Sequence, residues 1–185
     1  MNSKIRHLSI AFLCILAFIF SDTLARASVK DLSPLWNFGK TKIYSCYADE
    51  NITSESAFYP LVEAQQFYNT KDYEKALESL DLIINNYATK AKEIQSSLQE
   101  APWMSKEDVY NCRELNAVGT ALLIKGLIYL KLKNLEVAGK LINEQISSYS
   151  YAHCWNPDGW FVRIEYKAEE LLDEINHRQG KMSNP

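Results

Sequence analysis

Apolar residues recur at helical spacing in two stretches of this chain, and a polar turn divides each stretch into a pair of helices. In the first stretch Phe58, Leu61, Ala64 and Phe67/Tyr68 share one face, and Asn69-Thr70 interrupts it. Asp72 then stands where an N-cap is needed for a second helix carrying Tyr73, Ala76, Leu77, Leu80, Ile83, Ile84 and Tyr87. Residues 89–100 keep a helix-forming composition, so this helix is expected to run on until Pro102-Trp103 stops it. Ser105 followed by Lys106-Glu107-Asp108 reads as a fresh start, and the next face passes through Cys112, Leu115, Val118, Leu122, Leu123, Gly126, Leu127 and Tyr129 to Lys131. Asn134 caps its partner, which turns Leu135, Ala138, Leu141, Ile142 and Ile146 inward. A last helix is expected from Asn156-Pro157-Asp158-Gly159, because Asn accepts from exposed backbone N–H groups and Pro suits the first helical position. It would bury Trp160, Phe161, Ile164, Ala168, Leu171, Leu172 and Ile175, close the stack, and end in a frayed tail of residues 181–185 after Gly180.

The two helix pairs are copies of one unit. Moved along the chain by 62 positions, Ala64 falls on Gly126, Phe67 on Tyr129, Lys71-Asp72 on Lys133-Asn134, Ala76 on Ala138, Leu80 on Ile142 and Tyr87 on Tyr149. Two short helices cannot bury an apolar face alone, so the copies must stack. The predicted fold is therefore all-α: antiparallel helical hairpins stacked as a short superhelix over residues 55–180, behind an irregular arm at 28–54. In that arm Leu35, Trp36, Phe38, Ile43, Tyr44 and Tyr47 have no helical spacing.

This pattern of a small residue, a later aromatic, a polar turn and a buried Ala resembles the tetratricopeptide repeat over residues 57–88 and 119–152. Residues 153–178 are similar to the capping helix of such arrays. The chain departs from the family in ending its repeats on Ala88 and Ser150 rather than Pro, and in a 62-residue spacing where the family uses about 34. The resemblance implies no cofactor, and a protein or peptide partner held in a groove lined by the first helix of each hairpin. The matching positions are Phe58, Leu61, Gln65, Tyr68 and Asn69, then Thr120, Leu123, Leu127, Leu130 and Lys131. They are mostly apolar, so either the groove takes an apolar partner or the chain's own Trp36/Phe38 segment fills it.

The first 27 residues read as a leader rather than as fold. Lys4, Arg6 and His7 precede an apolar run from Leu8 to Phe20, and Ala25-Arg26-Ala27 offers small residues at a cleavage site. The run is shorter than the ~20 residues that span a bilayer. Export to the periplasm or the extracellular space is expected, with no membrane insertion after processing. What remains carries 17 basic and 22 acidic residues, a net charge of −5. That balance argues against nucleic acid or an anionic membrane as the partner, since both reward a basic face.

Candidate chemistry is sparse. Cys112 and Cys154 lie equally far before and after the second turn, so a disulfide between them would clamp the open end of that hairpin and contribute about 3–4 kcal/mol. A Cys46 bridge to either, or reduced buried thiols, are the alternatives, and an odd cysteine would suit a link between two chains in a homodimer. No Cys-x-x-Cys or His-x-x-x-His spacing points to a metal. Cys46 or Cys154 with His153 could form a nucleophile pair, but no oriented carboxylate accompanies it, so catalysis is not expected. Asn51-Ile52-Thr53 matches a glycosylation acceptor. Between Tyr149 and Phe161 the aromatics either pack the connection to the last helix or present Tyr151, Trp155 and Trp160 as an edge for a glycan or small ligand.

Overall fold

The computed structural model describes residues 37–38, 41–42, 58–101, 106–156 and 160–183. Two antiparallel two-residue strands, β1 (Asn37–Phe38) and β2 (Thr41–Lys42), precede the helices α1 (Tyr59–Asn69) and α2 (Tyr73–Ser97). Then follow α3 (Lys106–Asn111), α4 (Arg113–Lys131) and α5 (Leu135–Ser148). Strands β3 (His153–Asn156) and β4 (Trp160–Arg163) form a hairpin that leads into α6 (Ile164–Ser183). The fold is all-α, with α1 packed on α2, α2 on α4, α4 on α5 and α5 on α6. The expected leader, the expected Asn51 acceptor, Cys46, most of the expected arm, and the expected Pro102-Trp103 stop and Ser105 cap lie outside the described residues.

The repeat is visible bond by bond in the two turns. At the end of α1 the Lys71 and Asp72 N–H groups donate to the Tyr68 and Phe67 carbonyls at 3.0 and 2.8 Å. At the end of α4 the Lys133 and Asn134 N–H groups donate to the Leu130 and Tyr129 carbonyls at 3.1 and 2.9 Å. Both are Schellman closures, which require a left-handed residue, and Lys71 and Lys133 take φ of 63° and 61°. The same Asp72 and Asn134 then cap the next helix, accepting from Lys75 and Val137 N–H. A lysine at positive φ carries a Cβ penalty that glycine lacks. Lys71→Gly and Lys133→Gly should each stabilise the protein by about 0.5–1 kcal/mol, read as a higher urea midpoint at unchanged slope.

Helix α4 is the centre of the molecule. From Leu115 to Leu130 every residue is buried except Lys125 and Tyr129. A helix buried all round needs neighbours on every side. Ala76, Leu80 and Ile83 of α2, Ala138 and Ile142 of α5, and Ile164, Ala168 and Ile175 of α6 belong to the same core. Asp81 of α2 pairs with Lys125 of α4, each within about two and a half turns of its own hairpin tip, and at the far end of α2 Gln95 bonds Tyr151 beyond the open end of the second hairpin. Both tips therefore lie at the same edge of the stack. Gly119 permits a close approach, since a Cβ there would lie 2.5 Å from the Ala152 Cβ.

Three local expectations need correction. The helix expected to continue through Cys112 breaks there, because the Asn116 side chain donates to the Val109 carbonyl at 2.8 Å and occupies the acceptor that Arg113 N–H would use. Asn156 does not cap a helix: it pairs with Trp160, and the β-branched and aromatic run 160–163 joins residues 153–156 in the β3–β4 hairpin. The Ile164 N–H then donates to the Ala152 carbonyl at 2.9 Å as α6 begins. At the other end α6 continues through Gly180 to Ser183, since a single Gly costs about 1 kcal/mol and does not by itself end a helix.

Candidate functional site

Of the predicted groove residues, α4 contributes interior rather than surface. Thr120, Leu123, Leu127 and Leu130 are buried, and the Thr120 hydroxyl is turned inward, donating to the Asn116 carbonyl at 2.8 Å. Leu61 and Tyr68 of α1 are also buried. Tyr68 packs its ring 5.7 Å from that of Tyr73, and burial, with Tyr73 adding, pushes its phenol well above the ordinary tyrosine range. Phe58, Gln65 and Asn69 are half-buried, with Phe58 5.0 Å from the Tyr87 ring, and Lys131 is exposed. The accessible part of the predicted line is thus a rim of four residues around a closed row. The Trp36/Phe38 side chains expected to fill the groove lie outside the described residues.

The proposed staple is not formed. Cys112 and Cys154 are both buried thiols with no disulfide between them. Equal counting from the turn does not bring the two together, because α5 stops at Ser148 and the chain turns before running extended through β3. Burial first, then Asp108 and Glu114, push the Cys112 thiol up, the opposite of what an activated nucleophile needs. Among the described residues no group of three or more His, Cys, Asp or Glu side chains could hold a metal ion. No helix among them is long and apolar enough to cross a membrane.

What the structure does assemble is a buried polar knot where α3, α4 and β3 meet. Asn116 is its centre: its Nδ2 donates to the Val109 carbonyl, and its Oδ1 accepts the His153 N–H at 2.8 Å. His153 is 7% exposed, with Nδ1 2.8 Å from the Tyr151 carbonyl, which sets the neutral tautomer as the Nδ1–H form. Burial and Arg163 hold its pKa below the ordinary histidine value of 6.5, against the pull of that carbonyl. The overrun of α2 reaches the same place. Gln95 donates to the Ser150 hydroxyl at 3.2 Å and accepts the Tyr151 N–H at 3.0 Å, and the Tyr151 hydroxyl donates to the Gln99 carbonyl at 3.4 Å.

The aromatic edge is partly occupied from within. The Arg163 guanidinium lies 5.7 Å from the Tyr151 ring and 5.3 Å from the Tyr166 ring, and it pairs with Glu165. One face of Tyr151 is therefore taken by a cation. The backbones of Trp155 and Trp160 lie on the β3–β4 hairpin, while their side chains lie outside what the structure describes. Tyr166, 53% exposed, was not among the sequence candidates. Its signal was legible only as an aromatic on the polar face of the last helix. Compared with family models, with curated proteins and with solved structures, the chain matches none.

Proposed function

We propose that this chain is an exported scaffold that holds another protein, built as a tetratricopeptide-like stack and serving as an accessory factor in cell-envelope assembly or secretion. The observation that carries this reading is the correspondence of the two hairpins at each turn hydrogen bond, cap and buried Ala, which is how repeat scaffolds are built. A stack locked at both turns presents its surface with little ordering cost on binding. The leader-like first 27 residues support export, and the acidic balance suits a partner other than nucleic acid. Because the central row is interior, the partner meets the rim of Phe58, Gln65, Asn69 and Lys131.

Photoreactive residues at Gln65, Asn69 and Lys131 test it. In the native cell each should give the same discrete cross-linked adduct, while Glu169 and Asp173 on the outward face of α6 should give none. Equal adducts from α6, or none from the rim, would remove the reading.

A further inference from the structure

The connection between α5 and α6 runs through a histidine that nothing in the scaffold reading uses. In the β3–β4 ladder His153 stands directly opposite Arg163. The Ile164 N–H donates to Ala152, the neighbouring pair, so the His153/Arg163 pair is of the kind that exchanges no backbone bonds and whose side chains stand closest. The His153 N–H accordingly points away from β4, to Asn116 on α4. The ring is buried, bonded as a neutral imidazole to the Tyr151 carbonyl, with a permanent guanidinium across from it.

We propose that His153 makes the β3–β4 hairpin an acid-sensitive latch, which holds the start of α6 against α4 when the ring is neutral and loosens when it is protonated. The groups around the ring give an imidazolium little compensation. From α4 comes the neutral Asn116. From β4 comes Arg163, and from α6 comes Glu165, whose carboxylate is committed to that same Arg163. From α2 come the neutral Gln95 and Gln99, engaged with Tyr151 and Ser150. Among the described residues no carboxylate bonds the ring. A proton is therefore taken up more readily by the opened hairpin, where the ring recovers its ordinary value of 6.5, than by the closed one. The latch is at full strength above that pH and weakens as pH falls below it.

Backbone hydrogen exchange on the full chain reads this directly. After correction for intrinsic rates, the opening constant of the amides in β3, β4 and the first turn of α6 should rise up to tenfold for each pH unit below 6.5, while amides at Leu80 and Ile83 in α2 should not follow. In His153→Gln, which keeps a donor and cannot titrate, the dependence should vanish. The same slope in variant and wild type overturns the proposal. Should the variant not fold, the ring resonances of the unaltered protein decide: His153 should titrate below 6.5, and in Arg163→Met its midpoint should rise. A midpoint at or above 6.5 in the unaltered protein contradicts the latch.

Discussion

Leu80→Ala and Ile142→Ala should each destabilise the protein by about 2–5 kcal/mol, measured as a fall in the urea midpoint, and each should unfold the whole chain in one transition. The two residues occupy the same place in the two copies of the hairpin, 62 positions apart, and both are fully buried. Each truncation removes three carbons from the core and leaves a cavity that the surrounding helices close only in part. A domain of this kind has about 5–15 kcal/mol of stability, so either change consumes a large share of it. Leu82, one residue inside α2 from Asp81 and 53% exposed, is the control: Leu82→Ala should stay within about 0.5 kcal/mol. Two separate transitions in either core variant would mean that the hairpins do not share an interior.

Asn116→Ala should cost about 2–4 kcal/mol, with the loss concentrated where α3, α4 and β3 meet. The side chain is 3% exposed and satisfies two backbone groups, the Val109 carbonyl and the His153 N–H. Alanine strands the buried His153 N–H and leaves the Val109 carbonyl with the Cys112 N–H alone, at 3.2 Å, and the cost of an unmade buried bond exceeds the modest net gain of a made one. The contrasting change is Asn143→Ala, whose side chain donates to the Gly139 carbonyl on an exposed face of α5 and should be near neutral. Hydrogen exchange at His153 would locate the damage. Protection there should fall first in Asn116→Ala, and unaltered protection would sink the assignment of Asn116 as the linking residue.

The two helical hairpins, their Asp72 and Asn134 caps and the repeat were legible because they rest on local chemistry: a 3.6-residue apolar period, a capping Asp or Asn, and a polar turn that recurs 62 positions later. The overrun of α2 was legible too, from its polar but helix-forming composition, though not its purpose, since the Gln95 clamp on Ser150 and Tyr151 spans 55 and 56 residues. The break at Cys112 was hidden for a similar reason. It is made by a side chain four residues further on, which reads in sequence as one polar residue on an apolar helix. The β3–β4 hairpin was misread because Asn156-Pro157 is as good a helix signal as a turn signal, and the strand pairing that decides between them is not local. Groove positions were inferred from the repeat pattern on α1 and α4. They could not tell that most of this row is interior, because burial depends on what lies against it.

The separation between Glu74 and Glu136, exposed and equivalent residues in the first turns of α2 and α5, tests the central claim that the two copies stack side by side with both tips at one edge. With spin labels introduced there through a non-natural amino acid, stacked helices at 8–10 Å interaxial spacing predict one narrow distance distribution within about 20 Å. Copies facing opposite ways would place the tips a helix length apart, about 28 Å or more for a helix such as α4, and independent copies would give a broad distribution. Either of those results contradicts the account.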